Sequence, residues 1–189
     1  MASEYARYVV NERAKKVMED LDQACRYASD VIKGRWCQAE LTIMKDPWYA
    51  SLYARSVIKG RWSEAESCIM TDPSSAYYYA KDVIKGRWSE VESVIMKDPD
   101  SAYWYAKDVI GGRWPEAEPC IMKDPIWAYH YARYVIGGRW PEAEPCIKKV
   151  EDYWRLYNGR LPRWARPSLS SGLPGTTAPL SRADWVVGR

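Results

Sequence analysis

"DVIKGRWSE" occupies residues Asp82–Glu90. Nearly the same words stand at 56–64 ("SVIKGRWSE"), 108–116 ("DVIGGRWPE") and 134–142 ("YVIGGRWPE"), and a fifth copy, "DVIKGRWCQ", starts at Asp30. The glycines of the phrase, Gly34, Gly60, Gly86, Gly112 and Gly138, are spaced 26 residues apart without a slip. Self-similarity at a fixed period in this range marks a stack of small supersecondary units, each too small to bury its own apolar face. One complete unit reads "DPSSAYYYAKDVIKGRWSEVESVIMK", from Asp72 to Lys97.

The unit is punctuated for two helices. Asp-Pro opens the first, at Asp46-Pro47, Asp72-Pro73, Asp98-Pro99 and Asp124-Pro125. An aspartate can accept from the free N–H groups of the first turn, and proline is pre-set for the first helical position. Ala76, Tyr79, Ala80, Val83 and Ile84 then fall at i, i+3, i+4, i+7 and i+8, a single apolar stripe. Gly86 is expected to end this helix in the left-handed conformation. A second helix is expected just after Trp88, with Pro115 and Pro141 in its first turn in later copies. Trp36, Trp62, Trp88, Trp114 and Trp140 are placed between the two helices as core plugs, since a large ring contributes heavily to a small core. The predicted fold is all-α, an α-solenoid of short two-helix repeats with degenerate capping repeats.

The expected organisation is a degenerate N-terminal cap over 1–23, five tandem repeats over 24–149, a degenerate C-terminal cap over 150–161 and a disordered tail over 162–189. Tyr5 stands 22 residues before Tyr27, and Tyr153 stands 22 residues after Tyr131, so each cap is read as a copy lacking four residues. The tail is rich in Pro, Gly, Ser and Thr and shows no apolar period.

The chain has 189 residues, 15 tyrosines, 11 tryptophans and no phenylalanine, a bias that copying one aromatic-rich unit explains. Mean hydropathy is −0.51, and no run of about 18 apolar residues is present. The N-terminus lacks the apolar core of a signal peptide. The expected location is therefore the cytoplasm, or the host cytoplasm for a phage protein. Five cysteines without a CxxC pair give neither a disulfide framework nor a zinc signature, so no metal and no cofactor is expected.

"YARYVIGGRWPEAEPCIKK", preceded by "MKDPIWAYHYA", resembles a short tandem α-helical repeat of tailed-bacteriophage proteins. The shared pattern covers roughly residues 24–149. The resemblance implies a helical fold and a viral or prophage origin, and it carries no activity with it. Cys120 and Cys146 depart from the usual pattern of that repeat.

Three classes of function compete. Catalysis has little to stand on. The one histidine, His130, lies on a repeat helix, and no Ser/His/Asp or Cys/His set accompanies it. The paired glutamates (Glu64/Glu66, Glu116/Glu118 and their copies) recur in four of the five units, and at i, i+2 they do not face each other. They are read as helix-dipole acids and partners for arginine. A non-enzyme is expected. Nucleic acid is the alternative: Arg35, Arg61, Arg87, Arg113 and Arg139 would form a ladder interleaved with rings, and helical repeats can read RNA or single-stranded DNA in this way. Against it, residues 46–149 carry a net charge of −1, while residues 1–45 carry +1 and residues 150–189 carry +3. Affinity for nucleic acid rests largely on basic side chains free to meet phosphates.

Protein binding is the favoured class. The position two after the stripe alanine points most nearly away from the stripe and differs in every copy: Arg26, Leu52, Tyr78, Trp104 and His130. One turn earlier comes a second varied row that starts with Trp48, and one turn later a basic row, Arg55, Lys81, Lys107 and Arg133. Rings of this kind are enriched at interface hot spots. The expected function is a binding scaffold for a protein partner, with a host factor, a host defence enzyme or another phage protein as the partner class; a structural virion component is a third reading. As an outward residue, Trp104 is expected to change stability by under about 1 kcal/mol on truncation to alanine.

Overall fold

A computed structural model describes residues 16–159. Most of the expected N-terminal cap, the end of the C-terminal cap and the whole 162–189 tail lie outside the described residues. Among those described there is no strand. The first helices of successive units are α1 (Leu21–Arg26), α3 (Pro47–Tyr53), α5 (Pro73–Tyr79), α7 (Pro99–Tyr105) and α9 (Pro125–Tyr131). The second helices are α2 (Cys37–Ile43), α4 (Ser63–Ile69), α6 (Ser89–Ile95), α8 (Glu118–Ile121) and α10 (Glu144–Ile147), and α11 (Glu151–Tyr157) follows. Each first helix packs on the next first helix, and each second helix sits against the first helices of its own unit and of the following one. The molecule is an all-α repeat solenoid, as the 26-residue period predicts.

The Asp-Pro signal works as expected. The Asp72 carboxylate accepts from the Ser75 N–H at 2.8 Å, and Asp46, Asp98 and Asp124 cap α3, α7 and α9 in the same way. The other end of the first helix differs from expectation. After Tyr79 the helix widens into a π-helical turn (Ala80–Ile84), and the Gly86 N–H donates to the Ala80 carbonyl at 3.2 Å. The left-handed residue is Lys85 (φ 59°), one place before Gly86. Lys33 and Lys59 hold the same conformation in their units, and the later units place Gly111 and Gly137 there. A side chain in this region costs about 1–2 kcal/mol. Lys85→Gly is therefore expected to raise stability by about 1 kcal/mol, the released strain less the added freedom of the unfolded chain. The midpoint of urea unfolding measures it; an unchanged or lower midpoint would show that the Lys85 side chain makes up for its backbone.

The second helix starts after Trp62 and Trp88 as expected, but in the later units it is shortened. Residues 115–117 form a turn, Pro141–Ala143 forms a 3-10 turn, and only Glu118–Ile121 and Glu144–Ile147 are α-helical. Pro119 and Pro145 have no N–H to donate to the carbonyls four residues earlier.

The core repeats with the sequence. Ala76, Tyr79, Ala80, Trp88, Val91 and Ile95 are buried, and so are their counterparts in the other units, except that Tyr27 and Tyr157 at the two ends are only partly covered. Val83 and Ile84 are only partly covered. Tyr77, Tyr103 and Tyr129, together with Ser75 and Ser101, are buried as well, outside the predicted stripe. They lie where consecutive first helices meet. The C-terminal register also corrects the reading of the last copy. Tyr157, 26 residues after Tyr131, occupies the repeat's tyrosine position, and Tyr153 does not. The 26-residue spacing is kept as far as Tyr157, with Val150 in place of the capping aspartate.

Candidate binding face and the clasp between units

The repeated Gly-Arg-Trp phrase builds a hydrogen-bonded clasp between units. The Tyr79 ring packs on Trp88 of its own unit, with centroids 5.1 Å apart. Its hydroxyl reaches back to the preceding unit, accepting from the Trp62 N–H at 2.6 Å and donating to Glu66 Oε1 at 2.9 Å. Glu66 in turn receives Nε and Nη2 of Arg61 at 2.8 and 2.9 Å, a bidentate pair. The same chain of contacts runs through Tyr53, Trp36, Glu40 and Arg35, then through the sets headed by Tyr105, Tyr131 and Tyr157. The Arg35 and Arg61 hydrogen bonds hold Glu40 and Glu66 below the usual carboxyl range. Burial pushes Tyr79 up to about 12, so its hydroxyl stays protonated and able to donate.

All five arginines of the proposed nucleic-acid ladder are thus held by a glutamate. Arg87 and Arg113 make two bonds of 2.9 Å to Glu92 and Glu118, and Arg139 meets Glu144. Their side chains remain about half exposed or a little more. Each is nonetheless neutralised in place and spent on joining units.

The varied rows lie on the uncovered side of the first-helix layer. Arg26 is exposed, Tyr78 is 37% exposed, and Leu52, Trp104 and His130 are half-buried, so the row is less open than its helical angle implies. Trp48, 46% exposed, meets Tyr78 edge-on at 5.4 Å across the unit boundary. Trp104 lies against Tyr103 at 4.9 Å and Trp127 at 6.3 Å, with the Lys107 ammonium 4.6 Å from its ring centre. These contacts correct the expectation for its truncation. Trp104→Ala is expected to cost about 1–1.5 kcal/mol, from lost ring contacts and a lost cation–π interaction. Denaturant unfolding decides it; a loss below about 0.5 kcal/mol, the size of an ordinary surface change, would return Trp104 to a solvated ring.

Compared with known proteins, the chain stands apart. No family model, no curated protein and no solved structure matches it.

The basic row is a ladder of ion pairs for only part of its length. Arg55 Nη1 meets Asp82 Oδ2 of the next unit at 2.8 Å. Lys81 Nζ meets Asp108 Oδ2 at 2.7 Å, and the Tyr77 hydroxyl donates to the same oxygen at 2.8 Å. The fifth unit has Tyr134 where that aspartate would stand. Lys107 instead lies 5.5 Å from the Tyr134 ring centre, and Arg133 lies 5.6 Å from it. His130 sits among these groups, 5.7 Å from Tyr134 and nearly parallel to it. Burial, then the charges of Lys107 and Arg133, hold its imidazole below the ordinary range.

Among the described residues no group of His, Cys, Asp and Glu is arranged to hold a metal. No described helix is long and apolar enough to cross a membrane. The cysteines are free thiols. Cys25, Cys120 and Cys146 are buried, Cys68 is half-buried and Cys37 is exposed, and burial pushes the Cys25 thiol up to about 12, far from a reactive thiolate.

Proposed function

We propose that this protein is a non-catalytic scaffold that binds a protein partner on the exposed face of its first-helix layer. One observation carries the reading. Most residues that are the same in every unit are taken up by core and clasp, while the residues that differ along the outer side of the first helices form a face of rings and cations. Trp48, Tyr78 and Tyr134, between 37% and 54% exposed, are large aromatic groups left at the surface. Exposed rings bordered by charge suit a desolvating protein contact. The bidentate pairing of the arginine ladder weighs against nucleic acid as its partner, because each phosphate contact would have to displace a glutamate. The phage-like repeat makes a host factor, a defence enzyme among them, or another phage protein the natural partner class.

The test is affinity capture from host lysate, with and without nuclease, by the native chain and by the triple variant Trp48→Ala/Tyr78→Ala/Tyr134→Ala. The expected result is a stoichiometric protein that survives nuclease and is lost with the variant. Recovery of nucleic acid, with all proteins lost on digestion, would move the function to the arginine ladder. Incorporation into purified particles would make the protein a virion component.

A further inference from the structure

We infer that Tyr103, Lys107 and Arg133 form a docking site for an aspartate or glutamate side chain of an acidic protein segment, walled by the Trp104 and Tyr134 rings. This deepens the scaffold reading and rests on it.

The molecule itself supplies the template. One unit earlier, Tyr77 and Lys81 stand in the places that Tyr103 and Lys107 hold here, and both bond one carboxylate oxygen of Asp108. A carboxylate between this phenol and this ammonium is therefore a geometry that the repeat already makes. In the fifth unit Tyr134 replaces the aspartate, and the pair of donors has no internal acceptor. Among the described residues the Tyr103 hydroxyl makes no hydrogen bond, and neither Lys107 nor Arg133 has an ion-pair partner. Lys107 rests on rings instead, which satisfies an ammonium only in part, and it keeps donors for an incoming anion. Tyr134, 54% exposed, stands beside the two cations and can lie against the apolar part of an arriving chain. The positive field of the site is already felt by His130, whose protonation Lys107 and Arg133 oppose. A carboxylate brought to these cations would reverse that effect.

The chain's one histidine makes the test direct. His130 is faced by Tyr103 and Lys107 from α7 and its π turn, by Tyr129, Arg133 and Tyr134 from α9 and its π turn, and by Tyr153 from α11. Hexaglutamate is titrated into the native chain, and His130 is followed by NMR across pH. The expected result is saturable binding with an upward shift of the His130 pKa. Tyr134→Asp supplies the missing carboxylate from within, so it is expected to raise the His130 pKa without peptide and to weaken hexaglutamate by at least about tenfold, the loss of one charge-assisted hydrogen bond. Lys107→Gln, which adds no charge, is expected to weaken it by a similar factor. Undiminished binding by both variants, or an unmoved His130, overturns the inference. So does an oligothymidylate that displaces hexaglutamate from the same residues.

Capture of the lysate partner by Tyr134→Asp separates the two readings. If the native chain and Tyr134→Asp hold the partner equally, this site falls and the scaffold stands. If hexaglutamate binds here and no protein is captured by either, the scaffold reading falls.

Discussion

Trp88→Ala is expected to lower the free energy of unfolding by about 3–5 kcal/mol, the range for removing a large buried aromatic side chain. Trp88 is 4% exposed and sits where the two helices of its unit converge. Its ring is the surface on which Tyr79 packs. Truncation thus opens a cavity and also loosens the residue that clasps the preceding unit. In a linear array, stability is a sum of unit terms and nearest-neighbour terms. The damage should be centred on α5 and α6 and fade toward both ends. Urea unfolding measures the total, and amide exchange by NMR maps the gradient. A midpoint equal to that of the native chain would remove Trp88 from the core and revive the row of tryptophans as a stacking surface.

Tyr79→Phe removes one oxygen atom and is expected to cost about 2–3 kcal/mol, near the upper end for leaving a buried polar group without its partner. The hydroxyl is the sole acceptor for the Trp62 N–H among the described residues, and Trp62 is 1% exposed. Glu66 loses a donor in the same step. The Trp62 amide should exchange much faster in the variant, while amides two units away keep their protection. An effect within about 0.5 kcal/mol would mean that water replaces the hydroxyl and that the units are joined by apolar packing alone. The clasp also predicts acid sensitivity. Because Arg61 and Tyr79 lower the Glu66 pKa, its ionised form stabilises the fold in full above the unfolded carboxyl value of about 4.3. That stability is lost as pH falls through the lower folded value.

Much of the fold was legible in the sequence because its signals are local. The 26-residue period, the Asp-Pro openings and the 3.6-residue stripe each describe contacts within one helix or at its end. The errors arose where two neighbouring residues compete or where partners are distant. Lys85 and Gly86 are adjacent, and glycine's preference for the left-handed region pointed to the wrong one. Tyr79 was counted as apolar for its ring, so a hydroxyl bonded 17 residues upstream went unread. A usable signal existed: arginine, tryptophan, the glutamate five residues after the arginine and the tyrosine of the next unit recur at fixed spacings. Tyr103 was missed as a buried residue because it lies beside the stripe, where only a neighbouring helix can cover it. The half-burial of Trp104 and His130 has the same cause. Helical angle gives direction from a single axis and cannot register the next unit stacked against it.

The clasp also governs how such a chain can change in length. Among the described residues each tyrosine hydroxyl reaches the unit before its own, and each of the five connections uses the same four residue types. A whole unit can be duplicated or deleted between any two neighbours, and the new junction is an old one. Evolution can then edit the array as a string of interchangeable cassettes, adding or discarding outward residues without having to invent an interface to hold them.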